Sequence, residues 1–437
     1  MGFLFMLNKF IFYSLCSLII WLPIPLGSNR PWAWAISELI VFALFFLHCI
    51  FNIYKNNSFF PPLRTWPIFT LIGTLLLTLL IQIIFSYSTD PIQTKIVLLK
   101  TASFFMFAWL ICVYTIDKKR ITTIIYALII AGLFQAIYAT FLNLSPPSYT
   151  PIFGFQYSQR ANGSFVYHNH LANYLAIILS IGIGFIISEL DIKKNSNSKL
   201  THYFRGFIKA LLSKKLVIRL CLIIIVVALL LTRSRMGNIA FLVSLASVSL
   251  FALKFYKSKP WSLKYLIISF FVLDTIIVGS LFGADKLQER LAETSFIEET
   301  RDEVIQDSIP LVKQYYLSGS GGGSYYGLFP TKQSIPYSGF YDHAHNEYVQ
   351  FAIEFGVLSC FLSFFSLLYI LYICFKNMTQ RTSPLYQGVS FGVATAITFM
   401  ILHIIVDFPL QATANAMTFI VIICLGLLSS KKRLAKN

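Results

Sequence analysis

Asp342-His343-Ala344-His345-Asn346-Glu347-Tyr348 gathers two imidazoles, three carboxylate or carboxamide side chains and a phenol into one short run. Imidazole takes and gives protons near neutral pH, and a neighbouring carboxylate or amide can fix which ring nitrogen does so. Polar groups at a membrane boundary are costly to dehydrate, which points to chemistry or transport. The plainer alternative is an interfacial helix cap, with Asp342 or Asn346 accepting from the next helix and the histidines merely wet.

Cations are sparse elsewhere among the apolar segments, so each is informative. Arg160 precedes Asn162-Gly163-Ser164-Phe165 and His168-Asn169-His170. Arg233 and Arg235 sit in the tight turn Thr232-Arg233-Ser234-Arg235. Arg301 is followed by Val304, Ile305, Ser308 and Ile309, a spacing that predicts a short helix with one apolar face. Snorkelling or pairing with lipid headgroups accounts for such arginines; so does a cation held for a phosphate. Gly319-Ser320-Gly321-Gly322-Gly323-Ser324 is no nucleotide loop, since no Gly-Lys-Ser/Thr follows. It reads as a turn, with close backbone approach to a substrate at Gly321 and Gly323 as the other possibility. His403 and Asp407, one turn apart, form either an imidazole-orienting pair or a buried pair without a role. Asp274 lies mid-span with no evident partner.

These residues must be positioned by membrane helices. The chain of 437 residues is 57% hydrophobic and 12% charged, with mean hydropathy +0.70. Soluble domains carry about 25% charged residues. Apolar runs of spanning length, roughly 20 residues each, recur along the chain. Twelve are expected, at about 9–26, 31–53, 65–87, 94–116, 119–142, 168–190, 215–232, 236–256, 261–283, 345–375, 386–407 and 410–430. The first has no small-residue cleavage site after it and is expected to be retained as a span. The fold class is therefore an all-α integral membrane protein. Its expected parts are spans one to nine (1–283), a large polar loop with short helices (284–344), and spans ten to twelve with a tail (345–437).

The net charge of +17 is distributed by side. About two-thirds of the Lys and Arg fall on the face that holds both termini, which places the termini in the cytoplasm. The charge is a topology signal and a contact for membrane lipids; no nucleic-acid partner is expected. The linker around 191–214 reads as flexible. The loop at 284–344 is acidic in an otherwise basic protein and falls on the outer face, as do all the arginines singled out above. The seven cysteines lie in apolar segments without CxxC spacing, so neither disulfides nor a metal site is expected.

Arginines and a histidine at the outer leaflet suit an anionic substrate and one proton transfer. A group-transfer reaction outside the cytoplasm needs a donor that arrives activated, and a polyprenyl-diphosphate-linked glycan fits. Arginine clamps a diphosphate bidentately and stabilises the departing charge, in place of a metal, and no cofactor is called for.

At this point the chain resembles the O-antigen ligase and polymerase superfamily of bacterial envelope enzymes. The resemblance is strongest at His345-Asn346, nine residues, then Gly356-Val357-Leu358-Ser359, where Ser359 departs from the usual Gly, Thr or Tyr. Thr232-Arg233-Ser234-Arg235-Met236-Gly237 is similar to the family's Ser-Arg-Gly turn, with Arg235 in the arginine position and Met236 interrupting it. Arg160 with Asn162-Gly163-Ser164-Phe165 and Asn169 resembles its Gly-Thr-Phe…Asn segment. Arg301 and the glycine run match the arginine and glycine turn of its large periplasmic loop.

The resemblance implies a glycosyltransferase of GT-C-like architecture in the bacterial inner membrane, acting on the periplasmic side. It implies metal-independent transfer of a glycan from undecaprenyl diphosphate with inversion at the anomeric carbon. His345 would be the base, with His343 a second candidate, and Arg235 and Arg301 would bind diphosphate. Arg160, Asn169, Arg233, His343, Asn346, Gly321 and Gly323 would contact substrate. An O-antigen ligase, with lipid A–core as acceptor, is preferred over a polymerase joining lipid-linked repeats. A protein-glycosylating relative is less favoured, since such chains usually carry a longer C-terminal extension. A twelve-span transporter fits poorly, because the polar groups gather at the rim rather than the midplane. Oligomeric state is not legible.

Overall fold

The computed structural model describes residues 2–55, 59–145, 150–154, 160–190, 214–257, 260, 263–265, 267–269, 272, 301–334 and 341–431. All regular structure among them is helical. Asp274, the linker around 191–213, most of the ninth expected span and the acids between 285 and 299 lie outside the described residues.

The helices are α1 (Gly2–Trp21), α2 (Pro31–Lys55), α3 (Trp66–Ile84), α4 (Pro91–Tyr114), α5 (Lys118–Leu144), α6 (His168–Ser188), α7 (Lys214–Leu231) and α8 (Arg235–Phe255), followed by α9 (Arg301–Gln314), α10 (Tyr325–Leu328), α11 (Glu347–Phe355), α12 (Val357–Gln380), α13 (Pro384–His403) and α14 (Thr413–Leu428). Eight of the described helices are long and apolar enough to cross a membrane, and α1, α7 and α14 contain shorter apolar stretches. This is a multi-pass membrane protein. Apart from the ninth, each expected span overlaps a described helix, in the expected order.

Local chemistry sets many of the boundaries. Asp90 caps α4 by accepting from Gln93 N, and Pro91 supplies a first-turn residue with no N–H to satisfy. Asp117 caps α5 on Arg120 N. Ser234 caps α8 on Gly237 N at 3.3 Å. Asn346 caps α11 on Val349 N at 3.1 Å.

The tenth expected span, 345–375, is corrected. The chain forms α11, breaks at Gly356, and only then enters the long helix α12. Gly356 has φ 77 and ψ 155, a region that is essentially closed to residues with a Cβ. A Cβ there would also press on the Leu317 carbonyl. Hydropathy runs smoothly across 345–375 and does not register this backbone break. The part of the chain after residue 344 therefore starts with a short helix, α11, before the long helix α12.

Helix α6 is the axis of the bundle, buried along its length and packed on α13. The two approach closely at Gly184, Gly388 and Gly392, where a Cβ on either side would meet the other backbone. Close small-residue contact is how membrane helices gain dispersion contacts in the absence of a hydrophobic drive. Alternation of the helices puts residues 22–30, 85–90, 160–167, 232–234, 301–356 and 404–412 at one end of the bundle. A basic rim occupies the other end, where Arg64 donates to the Ser430 carbonyl at 2.7 Å and Arg381 lies over Tyr386. At the first end, Val304, Leu311, Tyr325, Phe329, Ala344 and Ile353 form a small separate core. Ala344, between the two histidines, is fully buried in it. That packing sets where His343 and His345 stand.

Candidate active site

Three segments that are distant in sequence meet around the start of α6. In the first, Ser164 is held by Gln135 and by the Pro23 carbonyl, to which its Oγ donates at 2.6 Å. Gly163, at φ 57, packs on the Gln135 side chain. With this segment latched, Arg160 Nη1 donates to His168 Nε2 at 2.9 Å. Arg160 thus has a side-chain partner of its own.

The second segment is the turn between α7 and α8. Ala161 N donates to the Leu231 carbonyl at 3.1 Å, which ties the Arg160 loop to this turn. Arg233 sits at φ 54, and Ser234 N donates to Thr232 Oγ1 at 3.2 Å. Gly237 lies against Ala172 of α6. Arg235 opens α8 and is exposed, while Arg233 is partly buried. Among the described residues neither guanidinium has a hydrogen bond, ion pair or ring partner.

The third segment carries the histidines. Phe408, after the end of α13, is a hub for four rings. His343 stacks on it at 4.5 Å, and His345 stands edge-on at 4.7 Å. His170 of α6 is edge-on at 5.0 Å, and Tyr167 stacks at 5.8 Å. His345 adopts φ 51, rare for a side chain of its size, and also meets Tyr341. Strain of this kind costs about 1–3 kcal/mol and persists where the surroundings impose it. Here Ala344 in the small core and the Asn346 cap fix the residue on either side.

The remaining expected site residues divide. Asn169 is buried and donates to Tyr167 Oη at 2.8 Å, supporting that ring. Asn346 spends its Oδ1 on the α11 cap, as the plainer reading anticipates. Arg301 begins α9, whose Val304 and Leu311 join the small core beneath Ala344; its side chain lies outside the described residues. The glycine run approaches the chain itself. Gly321 N donates to the Glu354 carbonyl at 3.1 Å, Gly321 faces Ser88 and Thr94, and Gly323 faces Gln93 and Val97. The Glu354 carboxylate takes the Gly323 and Tyr325 N–H groups. The turn therefore holds an internal carboxylate in the way such turns hold anions.

His403 does not pair with Asp407. Its Nδ1 meets Asn173 Nδ2 at 3.1 Å, while Asp407 Oδ1 accepts from Phe408 N at 2.8 Å. Asp407 thereby shapes the turn that presents Phe408. Among the described residues no group of three His, Cys, Asp or Glu side chains is placed to hold a metal ion.

Gln350 and Glu354 of α11 and Lys100 of α4 were not singled out in the sequence. With Glu347 of the opening polar run, Gln350 and Glu354 are buried. Glu347 Oε1 accepts from Leu410 N at 2.8 Å, and its N donates to the Ile404 carbonyl, fastening α11 to the α13–α14 turn. Their spacing, i, i+3 and i+7, puts them on one helical face, and that was the available signal. Lys100 of α4 lies over the Trp34 ring at 4.9 Å and interacts electrostatically with buried Glu38 of α2. Ionisable residues inside apolar runs were the signal there.

Burial pushes the Glu354 carboxyl up to about 7, against the lowering effect of its N–H partners. Burial also raises Glu347 well above the usual carboxyl range. Because folded Glu354 holds its proton more tightly than the unfolded chain does, its contribution favours the fold below about 4.5 and is lost as pH rises through about 7. Glu354→Gln should flatten that part of the stability–pH curve, by up to about 3 kcal/mol between pH 4.5 and 8. Thermal unfolding in detergent across that range checks it; parallel wild-type and variant curves would contradict it.

Comparison with known proteins adds a family likeness. No curated protein matches the chain. A family model described as O-antigen ligase matches residues 220–365. The matched segment runs from α7 through the Arg233–Arg235 turn, α9, the glycine run and both loop histidines into α12. The match covers about a third of the 437 residues, and over that stretch the chain is similar to O-antigen ligases.

Proposed function

We propose that the protein is an O-antigen ligase of the bacterial inner membrane. It transfers a glycan from undecaprenyl diphosphate to a sugar hydroxyl of lipid A–core, on the periplasmic side, with both termini cytoplasmic. The observation that carries this reading is the meeting of the Arg233–Arg235 turn and the His343/His345 loop, both within the family-matched residues 220–365, with the Arg160–His168 pair around one end of α6.

The donor's lipid tail lies in the bilayer and its diphosphate lies at the rim. Arg235 and Arg301 clamp the diphosphate, with Arg233 and Arg160 beside them. Guanidinium forks match phosphate oxygens bidentately and stay charged at any working pH. As the bond from the anomeric carbon to the phosphate oxygen breaks, the electron pair leaves on the diphosphate, and these cations stabilise it without a metal. The acceptor hydroxyl attacks from the opposite face, giving inversion, and a histidine of the 343–345 loop takes its proton. Phe408, Tyr167 and Tyr341 give the loop histidines an aromatic backing that excludes water from one side.

Purified protein in EDTA, supplied with an undecaprenyl-diphosphate glycan and lipid A–core, tests the assignment. A laddered lipopolysaccharide product is expected. Lengthening of the donor on its own lipid, with the core left bare, would make the protein a polymerase and refute the ligase assignment.

A further inference from the structure

The end of the bundle opposite the candidate active site gathers cations without acids to match them. Arg64 precedes α3, Lys118 opens α5 and Arg381 follows α12. All three converge on Tyr386, in the first turn of α13. Arg381 Cζ lies 4.5 Å and Lys118 Nζ 5.5 Å from the centre of its ring. Arg64 interacts electrostatically with both Tyr386 and Arg381. Among the described residues none of the three cations forms an ion pair. Asp117, beside Lys118 in the chain, spends its Oδ1 on the Arg120 N–H at 2.7 Å.

Two observations point to an anion. The first is the helix end. The first-turn N–H groups of a helix have no acceptor within it and carry about half a positive charge, which carboxylates usually offset. The first turn of α13 has no acid. Ser383 stands in its cap position but makes no side-chain cap, and its Oγ is buried without a hydrogen-bond partner among the described residues. Guanidinium and ammonium groups stand at this end instead, and they add repulsion. The second observation is the guanidiniums themselves. Arg64 Nη1 donates to the Ser430 carbonyl at 2.7 Å, which offsets the C-terminal end of α14. Arg64 Nε and Arg381 Nε are buried and have no partner among the described residues. A buried N–H left unpaired costs about 1–3 kcal/mol, and more on a charged group.

We propose that the N-terminus of α13, with Arg64, Lys118 and Arg381, is a binding site for a phosphate group. A phosphate carries several acceptor oxygens on one centre, so it meets guanidinium forks, a serine hydroxyl and helix N–H groups together. Its charge offsets that of the converging cations. Two sources carry this chemistry, the headgroup of an anionic lipid and free inorganic phosphate. The cations sit at the ends of spanning helices, where headgroups lie. Two residues after Arg64, the exposed Trp66 ring packs on Tyr369 at 5.5 Å, as aromatic rings do at headgroup level. That placement favours the lipid. The site lies at the opposite end from Arg235 and the loop histidines and does not depend on the glycosyl-transfer reading.

Thermal unfolding of the full-length protein in detergent tests the site, with the ligand-induced rise above each protein's own baseline as the readout. One arm titrates inorganic phosphate against chloride at constant ionic strength. The other compares phosphatidylglycerol with phosphatidylcholine in mixed micelles. A saturable rise is expected with phosphatidylglycerol or with inorganic phosphate. Response to the lipid alone identifies a headgroup, and response to inorganic phosphate shows that the free ion suffices. In Arg381→Gln the half-saturating concentration should rise at least about tenfold, as for loss of a charged hydrogen bond. In Lys118→Gln, an exposed position, it should rise about threefold. Lys376→Gln removes an exposed cation at the same end, over Tyr372, and should titrate as wild type does. No saturable rise in either arm, or an equal loss in Lys376→Gln and Arg381→Gln, would overturn the proposal. If Arg381→Gln does not fold, Lys118→Gln decides, and an unshifted titration there would overturn it.

Discussion

Arg235→Ala is expected to reduce glycan transfer by about 10²–10³-fold, the usual consequence of removing one charge-stabilising donor from a transition state. Arg235 is exposed at the first residue of α8, so its replacement removes no packing and leaves the Ser234 cap in place. The protein should insert and unfold as wild type does. Arg301→Ala should be comparably damaging, since in the proposed clamp both guanidiniums face the same leaving diphosphate. Arg235→Lys should recover only part of the rate, because a point charge cannot reproduce the planar fork. Initial rates with saturating acceptor, alongside thermal unfolding, measure this. Near-wild-type rates in both alanine variants would remove the diphosphate clamp.

Gly356→Ala should be the most damaging change that touches no charged group. Its backbone conformation costs a residue with a Cβ about 1–3 kcal/mol, and the clash with the Leu317 carbonyl adds to that. Val357 N donates to the Tyr316 carbonyl at 2.8 Å, and Ser320 N to the Ile353 carbonyl at 2.8 Å, so the neighbouring backbone is fastened and cannot easily yield. Relief would have to come from rotating α11, which carries Gln350 and Glu354 and sets the His343 loop. A fall in unfolding temperature together with loss of transfer is therefore expected. If Gly356→Ala unfolds and transfers as wild type does, the break is not needed to place the site.

Much of this architecture is legible in the sequence because a bilayer imposes one strong rule: apolar runs of fixed length become helices. That rule placed the spans, and the 3,4-spacing after Arg301 found α9. It failed between Glu347 and Phe355, because hydropathy averages over a window and conceals both a glycine at positive φ and a buried polar face. The glycine run was recognised as a turn, but its use, holding the Glu354 carboxyl, depends on contacts with α3, α4 and α11 that no local pattern encodes. Asn346 shows the converse: its place in the histidine motif suggested substrate contact, while its geometry is that of a helix cap. His403 and Asp407 are one turn apart, yet each bonds elsewhere, because Asn173 of α6 reaches the imidazole first.

In the proposed function the arginines gathered at this end of the bundle receive a lipid-linked diphosphate. The most direct measurement is the stabilisation of the detergent-solubilised protein by an undecaprenyl-diphosphate glycan in EDTA, for wild type, Arg235→Ala and Arg301→Ala. Bound ligand raises the unfolding temperature by mass action, whatever the chemistry that follows. A concentration-dependent rise is expected in the wild type, one that undecaprenol alone does not produce and that shrinks in both variants. An equal rise in all three proteins, or the same rise with undecaprenol, would place the donor elsewhere and contradict it.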